Sequence, residues 1–590
     1  MTQRPFIDPL VVATLTEAAP GRIQKKLDAD PKLSEAWTWV AQEASWEIDT
    51  GTEKVTLSVA SGGAIGATDL VQCSCLLSPR CLHVLAVIHA LPLRDASAET
   101  SEENNADGAQ TSTPTEELDE EPITTIEPAA RAAAEVALRA AGRLLERGAA
   151  NASLTVSNEL LRAVHSARIH GLHRMSAAGL RVAESIRMYR EGAPAFDRDR
   201  LLLEFRELVT VAHALSQPET DASGFVGTAR RKYRDVGSKK LTGILVDPIL
   251  TKTGYAGTVT YLADPDGVFW TLSDVAPGNG SRALGAYDGG VSIGDVKSAP
   301  RAICRGGLLL QGATGSDDGR LGSGKAVKAV TLKGTPVADW PMWKEPFDEQ
   351  LARSFTSGQL FDRRAGDDLV FFRAVVVGVH GENLIVQESA TGRAIRLQPP
   401  TTSAGLKFLA NLKLLGRAAG LEALFVARRS DDARDGFNAL AIYAAPEAER
   451  TLNLPDDVGG LMNLGLDTLK PEHLGVLSQH PVDVEMQGEG IQDPLHALRQ
   501  RVSSVVQGGR FVFHAGASHA VKRDASRLNA QFMHTAADLL SELLERAQFA
   551  ERDVSGRLDR TDPVGFAVAW CAAATYLQAA EASLARAGAL

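Results

Sequence analysis

The sequence predicts a multidomain α+β protein, and three observations lead to that prediction. The chain has 590 residues, enough for several domains of about 100–200 residues each. Its hydrophobic content of 44% and charged content of 23% are typical of a soluble globular protein. Apolar residues recur with helical spacing in some segments and with strand spacing in others, so helical and β-rich regions alternate along the chain.

The N-terminal region, residues 1–92, is predicted to hold a helix followed by a small cysteine-rich module. Residues 10–45 have the apolar positions of a helix. Residues 46–49 and 55–59 then alternate as strands do, with Gly51 between them. This predicts a hairpin directly before the most distinctive run in the chain.

That run places three of the five cysteines within nine residues and adds a histidine, with the spacing C-x-C-x5-C-x-H. Three thiolates and one imidazole form a complete tetrahedral shell for Zn²⁺. The first two cysteines suit a tight knuckle, and Ser78-Pro79 supplies a turn that brings the last two ligands back at the start of a helix. The predicted ligands are Cys73, Cys75, Cys81 and His83.

Four protein ligands leave no open coordination position, so the sequence predicts one structural zinc ion per chain and no catalytic role for it. His89 lies about 240° around the helix from His83 and is predicted to face elsewhere. A disulfide is disfavoured because Cys304 and Cys571 are isolated and no secretory signal precedes them. No catalytic residue is predicted, and the chain is not expected to be an enzyme.

Strand, C-x-C, short loop, C-x-H and helix together resemble the SWIM-type zinc finger over about residues 45–92. The resemblance implies a small ββα module that contacts DNA or proteins. In bacteria, such proteins are often encoded beside MoxR-type AAA+ ATPases and von Willebrand A-type domains. The expected function is therefore a non-catalytic protein adaptor or scaffold for such a system.

Charge is concentrated in one segment. The whole chain has a net charge of −11, yet residues 93–127 hold eleven acids against Arg94 alone. Few large apolar residues occur there, so the segment is predicted to be a disordered acidic linker. The rest of the chain is close to neutral, and composition therefore excludes neither a protein nor a nucleic-acid partner.

Residues 128–217 form the predicted helical region. Pro128 suits the first helical position, and the apolar residues that follow recur with helical spacing. Ser157 is predicted to cap a helix over residues 159–190, and Asp199 to open the next one. His165, His170 and His173 cluster here, but no cysteine or carboxylate nearby completes a second metal shell.

Two β-rich regions are predicted at residues 225–340 and 365–446, each compatible with a small barrel, OB-like or otherwise. Residues 264–267 read Asp-Pro-Asp-Gly, which predicts a tight turn between two strands. A mainly helical C-terminal region is predicted at residues 465–590.

The densest basic patch of the chain, at residues 230–234, predicts an alternative function. An aromatic ring among cations can stack on a base while the cations hold phosphates. The alternative is therefore a DNA- or RNA-binding protein that uses this patch together with the zinc finger. A basic domain entry that pairs with acids is the other interpretation. The patch consists of Arg230, Arg231, Lys232, Tyr233 and Arg234.

Two further patterns are weighed and rejected. Residues 319–325 match the spacing of a phosphate-binding loop, but Ala326 stands where the magnesium-binding hydroxyl belongs. The longest apolar run, near residues 564–577, is predicted to be a buried helix and not a membrane span. Cytoplasmic localisation, a bacterial origin and no membrane partner are expected.

Overall fold

The computed structural model confirms the α+β class and divides the chain into two compact units, Met1–Arg231 with Ala497–Ala574 and Lys232–His496 with Thr575–Leu590. The residues that the structure describes are 4–20, 23, 26–27, 33–42, 45–59, 64–92, 125–193, 196–228, 233–251, 254–293, 296–322, 327–332, 340–356, 364–401, 403, 405–429, 436–455, 458–484, 494–552 and 558–587. The acidic segment predicted to be a linker lies almost wholly outside these residues.

The N-terminal module is a four-stranded antiparallel sheet covered by one helix, Leu82–His89. In strand Lys54–Ser58 burial alternates, with Val55 and Leu57 inward, which is the pattern of a sheet with one solvated face. These side chains pack against buried apolar residues of the helix. In spatial order the strands are Thr38–Ala41, Ser45–Asp49, Lys54–Ser58 and Val71–Cys73.

The prediction of a helix over residues 10–45 is wrong in its extent. A helix spans Pro9–Ala18, but Thr38–Ala41 is a strand paired with Ser45–Asp49. Trp39 and Trp46 on these two strands meet edge to face, with ring centroids 6.4 Å apart. Aromatic residues suit the pleated surface of a sheet, and this tertiary contact overrides the helical pattern. A short parallel pair, Phe6–Ile7 with Ala64–Ile65, completes the module.

The helical region forms as predicted, with Pro128 at the first helical position. Its long helices pack together with helices from the C-terminal part of the chain. Gly142 allows one close approach, because an added Cβ would lie 2.3 Å from the Pro563 carbonyl oxygen. Besides the two helices of the N-terminal module, the α-helices described in this unit are Pro128–Arg147, Leu154–Ile169, His173–Arg190, Arg198–Ser216, His496–Gly508, Ala515–Ala530, His534–Gln548 and the first part of Pro563–Arg586.

One contact between the N-terminal module and the helical region is a pair of stacked histidines. The rings of His89 and His165 have centroids 5.3 Å apart and an interplanar angle of 22°. Nε2 of His89 also shares a hydrogen bond with Oγ1 of Thr16 at 3.0 Å. His89 therefore faces away from the cysteine cluster, as its helical position predicts.

The first β-rich region is a five-stranded antiparallel sheet. Residues that follow Gly307–Gly315 bridge this strand to Phe269–Pro277, since Thr271 donates to the Gly319 carbonyl at 2.7 Å and Gly315 pairs with Leu321. The sheet therefore curls towards closure. In spatial order its strands are Lys328–Leu332, Gly307–Gly315, Arg234–Leu250, Tyr255–Ala263 and Phe269–Pro277.

The second β-rich region closes into a five-stranded barrel, which agrees with the barrel-like prediction. Closure comes from a parallel pairing of Ala394–Gln398 with Gly436–Ala444, and helix Phe408–Leu415 packs on the barrel. The strand Leu461–Asn463 extends one edge. Around the barrel the strands are Leu369–His380, Asn383–Glu388, Ala394–Gln398, Gly436–Ala444 and Glu422–Arg429.

The two β-rich regions share one hydrophobic core, to which Tyr261, Phe371 and Tyr443 contribute. Buried polar bonds reinforce it. Nδ2 of Asn463 donates to the Tyr287 hydroxyl at 3.0 Å, and that hydroxyl donates to Asp467 at 3.0 Å. The chain stays with the barrel beyond residue 465, because Leu469 and Leu474 pack in the barrel core. The C-terminal helices begin only at His496.

Among the described residues, the helix over Pro563–Leu584 is long and apolar enough to cross a membrane by length and composition, and 44% of its most apolar window is buried inside the protein. Trp570 is fully buried and donates its indole N–H to the Val502 carbonyl at 3.0 Å. This part of the helix is therefore buried against the helix His496–Gly508, which agrees with the predicted buried helix.

The stacked histidines predict a loss of stability in mild acid. Burial lowers the pKa of His165 from 6.5 to about 4, and burial with nearby Arg168 lowers the pKa of His89. Because protonation favours the unfolded chain, this stability is complete above about pH 6.5 and is lost as the pH falls towards 4. Urea unfolding between these limits should show a decrease of at most about 1.4 kcal/mol per pH unit for each histidine.

The matched test is His165→Leu, which keeps an apolar contact but cannot titrate. Its unfolding free energy should depend less on pH than that of the wild type. His480→Gln, at an exposed position, is the control and should keep the wild-type dependence. An unchanged pH profile in His165→Leu would show that the stack does not set the acid sensitivity.

Candidate metal centre

The first pair of ligands lies at the end of a strand. Cys73 is the last residue of Val71–Cys73 and pairs with Val55 on the neighbouring strand. The chain then turns tightly, since the backbone N–H of Ser78 donates to the Cys75 carbonyl at 3.1 Å. The Ser78 hydroxyl accepts a hydrogen bond from the Cys73 backbone at 3.0 Å. Ser78 thus fixes both ends of the knuckle.

The second pair arrives with the helix Leu82–His89. Cys81 is its N-cap residue, and the Cys81 sulfur accepts the backbone N–H of Val84 at 3.4 Å. A helix N-terminus favours negative charge, so this position suits a thiolate. His83 lies in the first helical turn, with its ring 5.9 Å from that of Trp37.

The four ligand atoms lie within 4.8 Å of one another. Zinc–sulfur bonds of about 2.3 Å at tetrahedral angles imply ligand separations of about 3.5–3.8 Å. Sγ of Cys73 and Nδ1 of His83 are already 3.7 Å apart. The residues therefore fit a tetrahedral metal ion, with Nδ1 as the imidazole ligand and only a small contraction of the other distances.

Without a cation, this cluster disfavours the thiolate form. Burial raises the pKa of Cys81 to about 12, and the neighbouring Cys75 and Cys73 contribute to the rise. Burial likewise raises the pKa of Cys73. A divalent ion reverses this balance, because a thiol that coordinates it loses its proton. The site can bind a metal ion and hold two chain segments together.

All four predicted ligands are thus brought together, which confirms a cluster that could hold a metal ion. Three sulfur donors and one imidazole are a set that suits zinc. No position for a reacting molecule is left among four protein ligands.

The predicted basic patch is only partly visible. Arg230, Arg231 and Lys232 lie outside the described residues. Tyr233 is 45% exposed, and Arg234 begins the strand Arg234–Leu250. Arg234 lies 3.7 Å from the Asp317 carboxylate, so at this end the patch has an acidic neighbour.

Of the phosphate-loop spacing at residues 319–325, the structure describes residues 319–322. Gly319 and Leu321 make backbone hydrogen bonds to Thr271. Among the described residues, the next regular element is the strand Lys328–Leu332, where a phosphate loop requires a helix. The rejection of nucleotide binding at this position is consistent with the structure.

No role is predicted from the sequence for Leu76 and Leu77, which lie between the two ligand pairs. Leu76 is fully exposed and Leu77 is 54% exposed. Their position could have indicated exposure, since both lie in a short loop bounded by the predicted metal ligands. Apolar pattern alone does not separate them from the buried leucines of the helix that follows.

Comparison with known proteins found no matching protein-family model, and no significant match among curated proteins or among solved structures.

Purified protein should contain one metal ion per chain by elemental analysis, and Cys81→Ser should lose it. Because metal binding and local folding are coupled, hydrogen exchange in residues 45–92 should then approach the unfolded rate while the β-rich regions stay protected. Cys571→Ala, a buried cysteine outside the cluster, is the control and should keep its metal. A protected N-terminal module without metal would contradict the coupling.

Ser78→Ala should weaken metal binding without abolishing it. The change removes the hydrogen bond that orients the Cys73 backbone, and lost supporting contacts of this kind typically cost about 10–100-fold in affinity. We expect the lower end of this range in chelator competition. Ser58→Ala is the comparison, because Ser58 is exposed at the end of the strand Lys54–Ser58 and lies outside the ligand run. Equal affinity in Ser78→Ala and the wild type would show that the turn is rigid without this bond.

Proposed function

We propose that this chain is a cytoplasmic, non-catalytic SWIM-type zinc protein that acts as an adaptor for a protein partner. The observation that carries the proposal is the pair Leu76 and Leu77, exposed on the loop between the ligands. Burying a leucine side chain is worth about 1.5–3 kcal/mol, which a partner surface can recover.

Zinc binding would order this loop before a partner arrives. Cys75 and Cys81 would hold its two ends at one ion. Within the loop, the backbone N–H of Arg80 donates to the Leu77 carbonyl at 2.8 Å. A loop that is already ordered loses less conformational entropy on binding. The metal ion therefore supports recognition without taking part in chemistry.

Charge near the metal cluster favours a protein partner over nucleic acid. Residues 1–92 contain ten acidic side chains against seven lysines and arginines, and in the segment 33–92 that carries the cluster six acids stand against Lys54 and Arg80. Lys54 is paired with Glu47, so Arg80 is the remaining cation of the segment. Phosphate contacts need several cations, and a negative surface repels a nucleic-acid backbone. From the SWIM resemblance, the partner class is a MoxR-type ATPase or a von Willebrand A-type protein.

The test is affinity purification from the native host after nuclease treatment, with bound proteins quantified. Leu76→Ser/Leu77→Ser should lose the specific partner by about tenfold or more while keeping its zinc. Val136→Ser, which alters an exposed residue of helix Pro128–Arg147, is the control and should keep the partner. The adaptor proposal fails if the double variant retains every wild-type partner, or if nuclease removes them all.

A further inference from the structure

The helix Ala515–Ala530 has a basic outer face that the metal centre does not use. Its inner side, Val521, Ala525 and Leu528, is buried. The outward positions recur at i, i+3, i+4, i+7, i+8 and i+11, and therefore form one helical face. These exposed or half-exposed residues are His519, Lys522, Arg523, Ser526, Arg527 and Ala530.

No acidic side chain lies on this face. The acid in the helix, Asp524, points sideways and binds Arg501 at 2.8 Å. Within the described part of the chain, no carboxylate lies within ion-pair distance of Lys522, Arg523 or Arg527. By contrast, Arg187, another exposed arginine, contacts two glutamates on its own helix.

The turn at the end of this helix presents Phe532 in an unfavourable backbone conformation. The N–H of Met533 donates to the Leu528 carbonyl at 2.9 Å, and that of Phe532 to the Asn529 carbonyl at 3.0 Å. This turn normally places glycine where Phe532 stands, and Phe532 has a φ of 60°. Its side chain is 85% exposed, so packing within the chain does not offset the strain.

A strained and exposed aromatic residue beside unpaired cations is a combination that folding does not explain. Strain of this kind persists where a function uses it. Stacking on a base needs an open aromatic face, and neighbouring cations suit the phosphates of the same strand. An acidic protein segment would occupy the cations but would leave the exposure of Phe532 without a role.

We infer that Lys522, Arg523, Arg527 and Phe532 form a binding surface for single-stranded nucleic acid. The three cations contact successive phosphates, and Phe532 stacks against a base at the end of the helix. This surface is separate from the metal-held loop, so it does not depend on the adaptor proposal. Of the predicted basic patch, Arg234 belongs to the other compact unit.

The test is fluorescence anisotropy of a labelled oligo(dT) of about 15 nucleotides with the full chain. Three phosphate contacts predict that the logarithm of affinity falls with the logarithm of salt with a slope of about −2. Lys522→Gln/Arg523→Gln/Arg527→Gln should weaken binding at least tenfold and flatten that slope. Arg139→Gln and Arg190→Gln, which change exposed arginines on other helices, are the controls and should bind as the wild type does.

Phe532→Gly separates stacking from charge. It should lower oligo(dT) affinity by about tenfold with an unchanged salt slope, and it should raise the thermal midpoint because glycine accepts a positive φ. Poly-glutamate of equal charge should compete equally in Phe532→Gly and in the wild type. Absence of oligo(dT) binding at low salt would overturn the inference. So would wild-type binding by the triple variant, or wild-type binding by Phe532→Gly, which would indicate a site for acidic protein.

Discussion

The N-terminal module depends on the compensation of charge within one small cluster. Three sulfurs and an imidazole converge within 4.8 Å, partly out of water, where thiolates alone would repel one another. A divalent ion bound there would remove this repulsion and join the end of a strand to the start of a helix. The module also has an apolar core, to which Val55 and Leu57 of the sheet and Leu85 of the helix contribute.

Several features follow from that junction. The helix Leu82–His89 covers the sheet only if Cys81 and His83 stay at its first turn, and the same helix positions His89 against His165. A metal ion at this cluster would hold both ends of the loop that carries the exposed leucines. The four ligand residues thereby link that loop to the helix that contacts the helical region.

The elements predicted from sequence are those whose signals are local. The ligand set, the helix start at Pro128 and the turn at residues 264–267 each rest on a few adjacent residues, and Asp264 does accept the backbone N–H of Val268 at 3.0 Å. The predicted helix caps lie a few residues from the observed ones. Ser153 and Asp197 cap the two helices for which the sequence predicts Ser157 and Asp199. Gly171, with a positive φ, also divides the helix predicted up to residue 190.

What sequence reasoning missed depends on contacts between distant residues. Barrel closure needs Ala394–Gln398 to meet Gly436–Ala444 across 40 residues of chain, and no local pattern records this. The exposure of Leu76 and of Phe532 is equally non-local, because apolar residues are expected inside until their neighbours are known. The Thr38–Ala41 strand was hidden for the same reason, since its pairing partner and not its own composition decides its conformation.

X-ray absorption at the zinc edge of the purified protein tests the central claim most directly. The account predicts a closed shell of three sulfurs at about 2.3 Å and one nitrogen at about 2.0–2.1 Å. A shell that contains oxygen from water, or protein that carries no zinc, would contradict a structural Cys73–Cys75–Cys81–His83 centre and the ordered loop that depends on it.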